Sequence, residues 1–307
     1  MKIETIKNIK NSHIISILYK FIKIILPIFF LFFLFKNSYI SLQQIDLLFT
    51  GNKLLILNII ILSILLSFSL YLRWFFCIRI YKIKINFFQL IQVSSEAYSI
   101  ASFIPGQFGI DLVRIGKLRK SDSTKFKTKL LQATFIEKLF ALLGQLYILA
   151  TFLIESFLFK VIFLLICIFA LEIFLLFAKN FQRNRYLYKY LKDINDQNIF
   201  LNFFYSILCN FISCFLIFII ANGLNMSFQF ETIAISSTLS NISSIIPISP
   251  NGLGLSEFVF SEVTQNISSL NNIESVATIY FAYRIFLLLS HFLIFYISQF
   301  LTLWRRR

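Results

Sequence analysis

The chain has 307 residues, 58% of them hydrophobic, 18% aromatic and only 14% charged, with a formal net charge of +15. A soluble domain carries about 25% charged and roughly 45–50% apolar residues, so this composition excludes a water-soluble globule and demands a solvent that accepts apolar surface, namely lipid. The positive excess invites a nucleic-acid-binding reading, but its position argues against one, because the Lys and Arg residues stand in blocks between apolar runs, as they do in membrane proteins.

A membrane-spanning helix needs about 20 predominantly apolar residues. Six stretches qualify in chain order: 19–40, 54–72, 130–153, 157–178, 199–221 and 275–303. The first is the least regular, with Lys20, Lys23 and Pro27 near its start. Its basic flank resembles a signal sequence, but no small-residue cleavage site follows, so it reads as a retained anchor.

Two further stretches are apolar but interrupted. Residues 86–120 contain Ile104-Pro105-Gly106-Gln107-Phe108-Gly109, and residues 232–262 contain Ile246-Pro247-Ile248-Ser249-Pro250-Asn251-Gly252-Leu253-Gly254. Each has a Ser-rich first arm. Pro removes a backbone donor and Gly favours a turn. Unpaired backbone groups are costly in lipid, so such breaks are buried in protein or line a wet cavity. Each stretch therefore reads as a helix, a turn and a second helix that enter and leave on one side.

Charge tests this reading. With six crossings, the segments on the N-terminal side hold 24 Lys and Arg and the opposite segments hold three, Lys36, Lys53 and Lys160. That split predicts cytoplasmic N- and C-termini. The order of elements also repeats: two spans, a broken segment and one span, twice over. A unit with three crossings leaves the second copy upside down, the inverted-repeat plan in which broken helices meet near the midplane and form a substrate site. The expected fold class is an all-α polytopic membrane protein with about six transmembrane helices plus two re-entrant broken helical hairpins. Residues 1–307 then form a single integral membrane domain with repeats at about 14–154 and 155–303.

Cys77, Cys167, Cys209 and Cys214 show no CxxC spacing and read as small buried hydrophobes. His13 and His291 are far apart, so no metal site is expected. Ionisable residues within apolar segments are the candidates for function. They are Glu96, Asp111, Arg114, Glu137, Lys138, Glu172, Glu257 and Arg284. Arg114 and Arg284 suit a phosphate, because guanidinium offers a planar fork of donors. The half-helix after each Gly turn would present backbone N–H groups to the same anion. Mutual ion pairing that merely holds helices together is the competing reading for each residue.

Pro105-Gly106, Gly109, Asp111 and Arg114, followed by Glu137-Lys138, resemble the PGxxGxDxxR and Glu-Arg signatures of the lysylphosphatidylglycerol synthase membrane-domain family. Arg73-Trp74 resembles the family's Arg-Trp at the end of an early span. Pro247, Gly252, Gly254 and Glu257 resemble its second, Gly-x-Gly-x-x-Glu break. Ile110, Lys138 and Ser256 depart from that pattern, standing where Gly, Arg and Arg are usual. The resemblance implies movement of phospholipid between leaflets and a substrate site at Glu96, Pro105, Gly106, Gly109, Asp111, Arg114, Glu137, Lys138, Gly252, Gly254, Glu257 and Arg284.

Longer relatives add a soluble aminoacyl-transferase domain. Here Trp304-Arg305-Arg306-Arg307 directly follow the last span and no soluble region approaches domain size, so lysyl transfer is not expected. The leading expectation is a flippase-like translocator of phospholipid or polyprenyl-linked sugar in the bacterial cytoplasmic membrane, without a cofactor. The alternatives are a membrane partner of a separately encoded glycosyltransferase or synthase, and a membrane-embedded lipid-headgroup transferase. A homo-oligomer stays open; a nucleic-acid partner does not.

Overall fold

The computed structural model describes residues 32, 36, 40–101, 108–118, 124–154, 196–246, 251–268 and 276–304. The expected spans at 19–40 (save its last residues) and 157–178 lie outside the described residues, as do Glu172, the Pro105-Gly106 turn and Pro247.

Every element among the described residues is helical. In chain order they are α1 (Leu42–Thr50), α2 (Lys53–Ile80), α3 (Phe87–Ala101), α4 (Phe108–Leu118), α5 (Thr124–Leu153), α6 (Asp196–Gly223), α7 (Phe230–Ser243), α8 (Leu255–Ser268) and α9 (Val276–Trp304). Four of these, α2, α5, α6 and α9, are long and apolar enough to cross a membrane. They coincide with four of the six stretches marked in the sequence.

The helix α2 exceeds its expected end at Leu72 by eight residues, reaching Ile80. Arg73 is thereby part of the helix and 7% exposed, not the first residue of a loop. A buried guanidinium is tolerated there because a carboxylate on α5 meets it, as described below. Helix α1 was not marked by hydropathy. Ser41 opens it by accepting from the Gln44 N–H, and the Ser41 N–H donates to Thr278 Oγ1 at 2.9 Å, which ties α1 to the start of α9.

The other four helices, of 15, 11, 14 and 14 residues, are too short to cross a core of about 30 Å at 1.5 Å per residue. They pack in pairs, α3 on α4 and α7 on α8. These pairs are the two interrupted stretches of the sequence. A long helix, two short ones and a long one thus occur in the same order twice, as α2–α5 and as α6–α9.

The packing between the two sets is reciprocal. The first short helix of each set, α3 or α7, lies against the final long helix of the other, α9 or α5. The first long helices, α2 and α6, pack along each other and run antiparallel. Asn202, near the start of α6, donates to the Arg73 carbonyl far along α2 at 3.2 Å, while Gly223 at the end of α6 meets Leu55 at the start of α2. Gly144 lets α5 approach α6 closely: a Cβ there would sit 3.0 Å from the Ser206 backbone.

The core follows this arrangement in two clusters. One joins Ile59 and Leu66 of α2 to the second half of α6, to α8 through Phe260 and to the first half of α9. The other joins Trp74 and Cys77 of α2 to Ile199 and Phe203 of α6, and to α3, α5 and Ile294 of α9. The outer surface is apolar as well. Phe135, Leu112, Phe300 and Tyr296 are each about two-thirds exposed, which suits helices solvated by hydrocarbon.

Candidate functional site

A cavity of about 340 Å³ lies between the two sets of helices. Its wall takes Tyr98 and Ile110 from the first interrupted pair, and Asn241, Ser244, Asn251 and Leu253 from the second. Three cations line it, Arg73 of α2, Lys138 of α5 and Arg284 of α9, and among the described residues no carboxylate does. Their positions follow from the helices. Arg284 is the ninth residue of α9, about 12 Å along its axis, and Arg73 and Lys138 lie deep within α2 and α5 in the same way.

The first charged cluster centres on Glu137, which is fully buried. Arg73 donates to one of its carboxylate oxygens at 3.1 Å and Arg114 to the other at 2.9 Å. Arg114 is fully buried too, with its guanidinium 4.3 Å from the Trp74 ring and 4.9 Å from the Tyr98 ring. Aromatic faces and a shared carboxylate together replace the water that a guanidinium would otherwise hold. Asp111, in the first turn of α4, lies 3.7 Å from Arg114 and 3.6 Å from Lys138.

The second cluster sits at the turn before α8. Asn251, Gly252 and Gly254 have φ of 47°, 77° and 85°, so three of four consecutive residues adopt the left-handed conformation. At Gly252 a side chain is also excluded by space, since a Cβ would fall 2.6 Å from that of Ser244. Glu257, the third residue of α8 and fully buried, accepts from the Gly254 N–H at 2.7 Å, which is half of a capping box. Its other oxygen accepts from Arg284 at 3.1 Å, and Arg284 also donates to the Asn251 carbonyl. One arginine therefore holds both the turn and the helix that follows it.

The two clusters correspond. In each set a carboxylate in the first turn of the second short helix faces a cation on the next long helix, Asp111 to Lys138 and Glu257 to Arg284. Both of those cations line the cavity.

Of the residues expected at the site, Lys138 and Arg284 face the cavity, and Asp111, Arg114, Glu137 and Glu257 support it from behind. Gly109 is buried near the start of α4, and Gly252 and Gly254 shape the second turn. Glu96 instead pairs with Lys117 at 2.8 Å, away from the cavity wall. Pro105 and Gly106 lie outside the described residues.

Sequence reasoning did not mark His291, Tyr71, Tyr98, Gln145 or Asn210. His291 is buried, shares a hydrogen bond of 2.7 Å between its Nδ1 and the Tyr71 hydroxyl, and stacks on Tyr98 with centroids 4.4 Å apart and planes 11° apart. A single His in an apolar run carries no spacing signal, and tyrosines in such a run read as interfacial residues. Arg73 was marked only through its neighbour Trp74, because it fell just past the end of the apolar run.

The family model described as the lysylphosphatidylglycerol synthase TM region matches residues 20–294. The chain belongs to this family. The match contains both interrupted pairs, both charged clusters and the cavity between them, and it extends over segments outside the described residues. No curated protein and no solved structure gives a significant match. Membership makes the chain an integral membrane protein with a lipid-related role.

Proposed function

We propose that the protein is a lipid translocator, flippase-like, for a phospholipid or a polyprenyl-linked sugar in the cytoplasmic membrane. The observation that carries this reading is the cavity itself, lined by three cations and built from both interrupted helix pairs, within a bundle whose outer surface is apolar. A head group with a phosphate would be held by Arg73, Lys138 and Arg284 while its chains stay in lipid. The reciprocal packing and the antiparallel course of α2 and α6 support an inverted repeat with re-entrant hairpins. In that plan a site between the repeats opens alternately to either side. The charge split in the sequence supports six crossings and cytoplasmic termini. The paired carboxylates hold the cations in place, and an incoming phosphate competes with them for Lys138 and Arg284.

The test is reconstitution of the full chain into vesicles with fluorescent lipids on both leaflets, followed by a membrane-impermeant quencher. The wild type should expose inner-leaflet label within the assay, and Arg284→Ala should not, while still inserting. If Arg284→Ala moves lipid at the wild-type rate, the cavity is not the path. If Arg284→Glu with Glu257→Arg restores full transport, Arg284 serves only as a structural partner.

A further inference from the structure

The charges around the cavity do not balance. Among the described residues, the carboxylates that Arg73, Arg114 and Lys138 face in the first cluster are Glu137 and Asp111. In the second, Arg284 faces Glu257 one to one. Four cations against three carboxylates leave one positive charge over, among the described residues. Buried charge without a counter-charge is strongly disfavoured, so an arrangement retained with a surplus of one is completed by something that brings one negative charge. That surplus is offered to the cavity, because the three cations line it and no carboxylate among the described residues does.

Two neutral polar atoms also lack partners there. His291 Nε2 and Gln145 Oε1 are buried and make no hydrogen bond, and both residues line the cavity. The first can exchange a hydrogen bond with a hydroxyl in either tautomer, and the second can only accept one. Asn210, Ser213 and Ser244 add amide and hydroxyl groups to the same wall.

Resting on the translocation reading, we infer that the site selects a singly charged phosphodiester whose head group is uncharged and carries hydroxyls. A glycerol or a hexose on a phosphodiester meets both conditions. A head group with an ammonium does not, since no carboxylate among the described residues faces the cavity to receive it. This includes an aminoacylated lipid, despite the family's name. A diphosphate linkage also fits poorly, because it brings more negative charge than the one cation in surplus. The cavity, near the lower end of the usual range of roughly 300–1,000 Å³ for small-molecule sites, holds a head group and not the chains.

The test measures binding separately from transport. The purified full chain is titrated in detergent with phosphatidylglycerol, phosphatidylethanol, phosphatidylethanolamine, lysyl-phosphatidylglycerol, a polyprenyl monophosphoryl hexose and a polyprenyl diphosphoryl sugar, with thermal stabilisation as the readout. The same lipids are then tried in the vesicle assay. Phosphatidylglycerol or the monophosphoryl hexose should bind about tenfold more tightly than the amine-bearing and diphosphate lipids, and which of the two binds better identifies the source of the phosphodiester. Phosphatidylethanol, with the charge but no hydroxyl, should fall between them. His291→Phe keeps a ring for the Tyr98 stack but removes Nε2, and should lower phosphatidylglycerol to the level of phosphatidylethanol; Gln145→Met is the second variant if that one fails to fold.

Binding of an amine-bearing or diphosphate lipid as tight as that of phosphatidylglycerol and the hexose lipid overturns this inference, and so does equal binding of phosphatidylglycerol and phosphatidylethanol. Selective binding without movement of any lipid supports the selectivity but refutes translocation. Movement of every lipid at one rate refutes the selectivity alone.

Discussion

Glu137→Gln should be the most damaging single change of charge in the protein. The carboxylate is fully buried and accepts one guanidinium at 3.1 Å and another at 2.9 Å. The amide keeps the shape but removes the charge, and among the described residues Arg73 and Arg114 are left with only Asp111 nearby as a carboxylate, 3.7 Å from Arg114. Removing one partner of a buried pair costs about 3–5 kcal/mol. By the scaling of chains of similar size, that corresponds to a fall in melting temperature on the order of 10 °C. Asp111→Asn supplies the comparison. Its ion pairs are longer, at 3.6 and 3.7 Å, and Lys138 keeps about a quarter of its side chain exposed, so the expected loss is nearer to roughly 1 kcal/mol. Thermal unfolding of both purified variants in one detergent measures the contrast. Combining Glu137→Gln with Arg114→Gln should recover part of the loss, because the second change removes a cation left stranded by the first. If Glu137→Gln melts within about 2 °C of wild type, or if Asp111→Asn is the worse of the two, the account of the cluster is wrong.

Topology can be read by labelling single cysteines from each side of the membrane. Ser227→Cys, after α6, should react only from outside, and Lys84→Cys, after α2, only from the cytoplasm; both positions are exposed, and labelling of both from one side rejects the inverted repeat. Gly252→Ala should lower stability by about 1–3 kcal/mol, since φ there is +77° and the new methyl would press on Ser244, and an unchanged melting temperature would show that the turn relaxes freely. Gly144→Val should separate α5 from α6 at a similar cost in thermal stability, by overpacking against Ser206 and Asn210, whereas Gly116→Ala, with nothing within 4 Å of the added carbon, should not.

The spans were legible because hydrocarbon imposes a length and a composition that few other constraints produce. Residues 54–72, 130–153 and 199–221 fall within helices that meet those criteria, and so does 275–303 apart from residue 275, which lies outside the described residues. The interruptions were legible for the complementary reason: Gly252 and Gly254 supply left-handed backbone that other residues resist. Pairing was not. Hydropathy ends α2 at Leu72 because Arg73 follows, and only the position of Glu137 on another helix explains why the helix continues. Glu96 shows the opposite failure. By hydropathy it resembles Asp111, yet Lys117 lies within reach and draws it away from the cavity wall. His291 was hidden for a third reason, since its partners Tyr71 and Tyr98 lie on α2 and α3, more than 190 residues earlier in the chain.

The two clusters also differ in a way that bears on how the site could work. Both sets of helices place a carboxylate at the start of a short helix and a cation on the next long one, but among the described residues only the second pair is closed by backbone as well. Glu257 takes the Gly254 N–H, and Arg284 takes the Asn251 carbonyl, so opening that pair disturbs a turn that already has three left-handed residues. Among the described residues the Asp111–Lys138 pair has no comparable anchor: its separation of 3.6 Å is longer than a hydrogen bond, and Lys138 is the most exposed of the three cavity cations. An anion entering the cavity would therefore displace Asp111 from Lys138 at lower cost than it would displace Glu257 from Arg284. On the translocation reading proposed above, the half containing α4 and α5 would yield first, and the half containing α8 and α9 would keep its shape as the wall against which a head group is held.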